Sequence, residues 1–152
     1  MKAVVQVTSG ASVSSEQEVL GEIKKGLVVL LGIQRNDKES DLNYMVQKIC
    51  NLRCFSDEQG KFQHSLIDTQ GSLLLISQFT LLGNCQKGRR PSFSKSEEPI
   101  AAEKMYQKSI EKFRSHGINV ETGCFGAAME VTLTNQGPVT FIIDSREAAT
   151  NL

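Results

Sequence analysis

Apolar residues recur along this chain with two different periods, which divide it into strand-like and helix-like stretches. Residues 3–8, Ala3-Val4-Val5-Gln6-Val7-Thr8, are rich in β-branched side chains, which suit a pleated backbone. Residues 26–33 form a glycine-bounded apolar run, from Gly26 through Gly32 to Ile33, as expected of a strand buried on both faces. Between Asp41 and Arg53 the period lengthens, and Leu42, Met45, Val46, Ile49 and Leu52 recur every three or four residues; that spacing draws one stripe along a helix. Gly71 and Ser72 then open a second apolar run over residues 73–82. It is too short and too β-prone for a helix, and a central strand is predicted. Ser96-Glu97-Glu98-Pro99 combines a capping hydroxyl, acids and a proline, which predicts a helix start. Ala102, Met105, Tyr106, Ile110 and Phe113 carry its apolar face as far as Gly117. Residues 118–121, the alternation of Met129, Val131 and Leu133 with Glu130, Thr132 and Thr134, and residues 139–143 predict further strands. Residues after Asp144 read as a short frayed tail.

Strands in the majority with two helices inserted predict an α/β chain of α+β character. At 152 residues and 39% hydrophobic, the length suits one domain spanning residues 1–152 with one core. Lys+Arg and Asp+Glu are both 17, so no global positive field draws the molecule onto a nucleic acid, and any such contact must be local. The start, MKAVVQVTSG, has no long apolar stretch, and neither a leader nor a membrane anchor is expected; a cytosolic location follows. Cys50, Cys54, Cys85 and Cys124 are too scattered for a disulfide scaffold and are expected as buried or half-buried thiols. Only His64 and His116 could join them on a metal, and neither forms a ligand pair; no metal is expected, and both histidines are expected at the surface.

Two segments carry candidate chemistry. Strand alternation through Ser77-Gln78-Phe79-Thr80-Leu81 places Gln78 and Thr80 on one face and Ser77, Phe79 and Leu81 on the other. A buried strand that turns polar at its end offers side chains held on a rigid element; the same residues could equally serve to satisfy nearby backbone groups. The second segment, Thr134-Asn135-Gln136-Gly137-Pro138-Val139-Thr140, separates two strand-like runs and has the composition of a turn. Its Gly-Pro bond is a candidate cis peptide, although roughly 5–6% of X-Pro bonds in folded proteins are cis, and that rate alone favours trans.

Taken together, the two segments resemble the paired signature motifs of the D-aminoacyl-tRNA deacylases, the D-tyrosyl-tRNA(Tyr) deacylase family. The likeness continues through residues 1–6, Asn51-Leu52-Arg53, residues 87–93, and Gly123-x-Phe125-Gly126-Ala127-x-Met129. It implies a barrel-like arrangement of mainly antiparallel strands with two main helices. It also implies hydrolysis, without a cofactor, of the ester joining a D-amino acid, or glycine, to the 3′ end of tRNA. Family members are homodimers in which a cis Gly-Pro turn reaches into the neighbouring subunit's site. Carried over, the carbonyls of Gly137 and Pro138 would exclude an L side chain, with Asn135 and Thr140 framing them. The backbone near Phe79 or Thr80 would hold the oxyanion, and Ser77, Gln78 and Thr80 would position the ester. Thr80 is read as a positioning group and not a nucleophile, because no acid or histidine in either motif can activate it.

The resemblance also assigns weaker features. The loop over residues 86–95 carries Lys87, Arg89, Arg90 and Lys95 and no acid; it is a solvated loop by composition, and near an acceptor stem its Lys87, Arg89 and Arg90 would contact phosphates. Phe125 and Met129 would otherwise be core residues, and the family places them beside the terminal adenosine. One departure stands out: the family usually has arginine after the glutamine matching Gln6, bracing the Gly-Pro turn, and here Val7 stands there. Either Val7 replaces it, or the segment to Gly10 has lost the arginine and gained a glycine. Both imply a turn braced differently, with looser chiral rejection possible. The alternatives are an editing enzyme of relaxed specificity and a nucleic-acid-binding protein of the same fold without catalysis.

Overall fold

The computed structural model describes residues 1–148. In chain order its elements are β1 (Lys2–Ser15), β2 (Glu18–Ile23), β3 (Gly26–Gly32), α1 (Glu39–Asn51), β4 (Phe55–Ser56), β5 (Phe62–His64) and β6 (Ser72–Ser77). A 3-10 turn (Phe79–Leu82) follows, then α2 (Pro99–Ser115), β7 (Asn119–Thr122), β8 (Glu130–Asp144) and α3 (Ser145–Ala148). The main sheet runs β2-β1-β3-β6-β7, with β8 on the free side of β1. β1 is antiparallel to β2, β3 and β8, whereas β3, β6 and β7 run parallel. The two ends of the path meet at Gly21 of β2, where a Cβ would lie 2.8 Å from the carbonyl oxygen of Thr122 in β7. The sheet is therefore barrel-like and nearly closed, in agreement with the expected class, its mainly antiparallel pairing and its two main helices.

Each face of this sheet buries its own apolar set. Val5, Leu27, Val29, Leu73 and Leu75 face α1 and α2 and pack with Leu42, Met45, Ile49, Tyr106 and Phe113. The opposite face fills the barrel with Ala11, Val13, Ile23, Val28, Leu74 and Ile76. β1 serves both sets by changing faces at Thr8–Gly10, where its pairing with β8 loses register. The Thr8 hydroxyl donates to the Gly10 carbonyl at 2.7 Å and accepts from the Gly10 amide at 3.0 Å, so the kink satisfies its own polar groups.

Several sequence expectations are corrected. β1 extends well past residue 8, and β2 and the β4–β5 hairpin were not expected. Residues 9–15 are mostly serine and glycine, weak strand formers that pair here because β2 and β8 flank them. The strand expected over 73–82 stops at Ser77. The segment around Gly137 does not reverse the chain: β8 continues through it, and both its halves pair with β1. The tail after Asp144 is ordered over 145–148; residues 149–152 lie outside the described part. Buried Ser145 anchors α3, since its amide donates to the Met1 carbonyl at 2.9 Å and its hydroxyl to Asp41 Oδ1 at 2.7 Å.

Asp41 yields a test of this anchor. Burial would raise its pKa, but hydrogen bonds from the Lys38 amide and the Ser145 hydroxyl, with nearby positive charge, hold it below 3.8. A depressed carboxylate contributes stability that is complete above its unfolded value and is lost as pH falls through the folded one. Asp41→Asn is expected to lower Tm by about 2–6 °C near pH 7, with the difference shrinking as pH falls below the ordinary carboxylate range; calorimetry over a series of pH values checks it.

Candidate functional site

β6 is held on both sides by parallel neighbours, β3 and β7, and is buried from Leu73 to Ile76. Its last ladder bond is the Gln78 amide to the Leu31 carbonyl at 2.8 Å. The chain then tightens into the 3-10 turn, whose first internal bond runs from the Leu81 amide to the Gln78 carbonyl at 3.3 Å. An i to i+3 turn leaves its first amides without an internal acceptor. Here those are the amides of Phe79 and Thr80, for which no hydrogen bond is found among the described residues. The Gln78 side-chain amide donates to Thr80 Oγ1, so the two polar residues meet through the turn and not, as expected, by strand alternation.

This turn borders a cavity of about 590 Å³. Ser77, Gln78 and Phe79 line it together with Phe125, Gly126, Ala127, Met129 and Val131. Thr80 is exposed and does not line it. Phe79 is 56% exposed and meets Phe93 edge-on at 4.9 Å between ring centroids. Opposite, Met129 is seated by a sulfur contact with the Cys124 amide at 3.3 Å and by Gly123, whose absent Cβ would lie 2.4 Å from the Met129 sulfur. Sequence reasoning missed the third side, where Arg35, Ser96, Glu97 and Glu98 join the rim and Arg35 pairs with Glu98 at 2.9 Å. Its acids had been read only as a helix start.

Tyr106, also missed, ties two walls together. Its buried hydroxyl donates to the Leu75 carbonyl at 2.7 Å, and its ring lies 5.8 Å from that of Phe125. Burial pushes its phenol pKa upward, with the Cys124 thiol adding a little. Tyr106→Phe keeps the ring and strands the carbonyl, and is expected to lower Tm by about 2–6 °C in a thermal melt.

The second motif forms an excursion from β8. Gln6 faces Thr140 and Thr8 faces Asn135, so one residue of β1, Val7, stands opposite the four residues 136–139. Asn135 closes the base: its Oδ1 accepts from the Val139 amide at 3.1 Å and its Nδ2 donates to Thr140 Oγ1 at 3.0 Å. Gln6 Nε2 also donates to Thr140 Oγ1 at 3.2 Å, and the Thr8 hydroxyl contacts the Thr134 carbonyl at 2.9 Å. These four side chains hold the excursion by hydrogen bonds, whereas Val7 is buried in the core. The Gly137-Pro138 bond is cis, and Gly137 has φ +123°. Neither residue lines the cavity. Ser77 aligns with Leu31 and hence with Ala3, four residues along β1 from Val7. The two motifs of one chain therefore lie roughly 13 Å apart along the strands and roughly 14 Å apart across them.

Lys87, Arg89 and Arg90 are exposed on the loop that returns to the cavity through Phe93. Cys85 and Cys124 are exposed, contrary to expectation, whereas Cys50 and Cys54 are buried with pKa values raised to about 11 by desolvation. His64 is exposed; His116 is half-buried at the end of α2, with ring nitrogens 2.9 Å from Gln47 Nε2 and the Lys112 carbonyl. No helix among the described residues is long and apolar enough to cross a membrane.

Residues 4–144 match the family model described as D-Tyr-tRNA(Tyr) deacylase. A D-aminoacyl-tRNA deacylase of Fervidobacterium nodosum is 51% identical over 147 residues, 97% of this chain and 99% of that protein. One from Aquifex aeolicus is 50% identical over the same shares. Among solved structures, a c-Myc DNA unwinding element binding protein superposes with a TM-score of 0.89 at 40% identity, covering 95% of this chain and 98% of that one. A probable eukaryotic D-amino acid tRNA deacylase gives a TM-score of 0.80 at 15% identity, covering 93% and 97%, a likeness of fold alone.

Proposed function

The chain belongs to the D-Tyr-tRNA(Tyr) deacylase family, and from that premise we propose that it hydrolyses D-aminoacyl-tRNA to free tRNA and D-amino acid, as a proofreading step. The observation that carries this reading is the pair of uncommitted amides, Phe79 and Thr80, at the border of a cavity large enough for an aminoacyl-adenosine. Water attacks the ester carbonyl, its C–O bond to the ribose 3′ oxygen breaks, and that oxygen takes the proton, with the neighbouring 2′-hydroxyl as relay. Negative charge that builds on the carbonyl oxygen is met by the two amides, which need no reorganisation because β6 and the turn hold them. Ser77 and the Gln78–Thr80 contact fix the turn, and Phe125 and Met129 receive the adenine. Glycyl-tRNA, lacking a side chain, passes the same filter.

That filter is the Gly137-Pro138 excursion of a second copy. Its separation from the cavity within one chain supports a site completed across a homodimer, as does the apolar sheet face on which Ile142 is 74% exposed beside half-buried Val4 and Leu30. Backbone carbonyls opposite the substrate α-carbon leave room for hydrogen and not for an L side chain. Asn135, Thr140, Gln6 and Thr8 brace it. Lys87, Arg89 and Arg90 contact acceptor-end phosphates. The chain acts as one domain in the cytosol, without a cofactor.

Deacylation of matched D-, L- and glycyl-tRNAs tests the reading. D- and glycyl-tRNA should be cleaved at least about a hundredfold faster than L-, a difference of roughly 2.7 kcal/mol in barrier. Thr80→Ala should retain substantial activity. Equal D and L rates would remove the chiral filter, and complete loss in a folded Thr80→Ala would make Thr80 the nucleophile. Binding of nucleic acid without hydrolysis would favour the reading suggested by the relative named for DNA binding.

A further inference from the structure

A second cavity of about 480 Å³ adjoins the first, and Ala127 and Met129 line both. Its other wall is the end of β1 and the hairpin turn that follows, with Ser14, Ser15, Glu16 and Gln17 facing Glu130 at the start of β8. The hairpin turn is tight. Ser15 pairs with Glu18, and Glu16 and Gln17 hold φ values of 49° and 68°, the two left-handed positions of a tight two-residue turn. The Ser15 hydroxyl is engaged with the Ala128 carbonyl at 2.8 Å. The side chains of Glu16, Gln17 and Glu130, in contrast, make no hydrogen bond or ion pair among the described residues.

We propose that this second cavity binds the base of the nucleotide preceding the terminal adenosine, a cytidine in every tRNA. The inference rests on the deacylase reading of the first cavity. A single-stranded 3′ end entering that cavity must carry its next nucleotide past one of the walls, and Met129 is the wall with a further hollow behind it. Two carboxylates repel a phosphate and accept from an exocyclic amine, so the occupant is an amino-bearing base with its phosphate turned to solvent. Cytosine offers N4 as the donor, whereas uracil presents a carbonyl there. Gln17 can both donate to and accept from the remaining base edge.

The test uses three small substrates: the 3′-D-tyrosyl esters of adenosine, of cytidylyl-adenosine and of uridylyl-adenosine. The cytidylyl ester is expected to show a KM about tenfold below the other two. Glu16→Gly, which suits its backbone, combined with Glu130→Ala should erase the cytidylyl advantage and leave kcat/KM on the adenosine ester unchanged. Equal KM for the cytidylyl and uridylyl esters in the unaltered protein would overturn the subsite, a comparison that needs no variant to fold. Hydrolysis of none of the three would overturn the deacylase reading and the subsite with it.

Discussion

Gly26→Ala is expected to cost a large part of the stability of this protein. Gly26 opens β3, between Thr8 of β1 and Ser72 of β6. A Cβ there would lie 1.8 Å from the Ser72 carbonyl oxygen and 2.8 Å from both the carbon and the amide nitrogen of the same residue. All three are backbone atoms in the middle of the sheet, so no rotamer change relieves the overlap. Either β6 moves away from β3 or the first rung of their ladder breaks, and both disturb the apolar sets on the two faces at once. Overpacking of this kind costs about 3–5 kcal/mol, a large part of the roughly 5–15 kcal/mol that domains possess. A thermal melt should show Tm lowered by about 6–20 °C. A Tm within about 2 °C of the unaltered protein would mean that the two backbones can separate cheaply.

Gly137→Ala should do the opposite, with fold intact and chemistry lost. At φ +123° an L residue is strained, and its Cβ would lie 2.5 Å from Val139 Cγ2 and 2.9 Å from the Val139 amide nitrogen. The excursion must reshape, but the rungs on either side of it, Gln6 with Thr140 and Thr8 with Asn135, carry no part of the overlap. A change in Tm of less than about 3 °C is expected from so local a change. Deacylation is expected to suffer far more, because displacing a positioning group by about 1 Å can cost about a hundredfold. The D-aminoacyl rate should fall by that order, and the ratio of D to L rates should drop toward one. Unchanged selectivity with normal activity would show that residue 137 does not present the filter.

Periodicity located most of the large elements, because burial against a core imposes the spacing that burial requires. The stripe from Leu42 to Ile49, the α2 face from Tyr106 to Phe113 and the runs that became β3 and β6 were all legible on that ground. Local chemistry was less reliable where long-range pairing competes with it. The small polar residues after Thr8 look like a loop and are strand; residues 79–82 continue an apolar run and are a 3-10 turn, because Gln78 makes the last bond to β3. Composition favoured a turn at Gly137, but no reversal is possible where both flanking segments already pair with β1.

The same division holds for the site. Residue identities alone, in two separated motifs, were enough to place the chain beside its relatives and to single out Gln78, Thr80, Gly137 and Pro138 as candidates, since a motif lists residue types in their order along the chain. What a motif cannot carry is distance. That Glu97 and Arg35 share the cavity, that Tyr106 clamps β6 to Phe125, that Gln6 and Thr8 hold the two ends of the excursion, and that a second hollow lies behind Met129 follow from residues far apart in the chain. Their juxtaposition depends on strand register and on the close approach of backbones at Gly21 and Gly26. Those are properties of the packed whole, where the shape of every neighbour decides whether a contact exists.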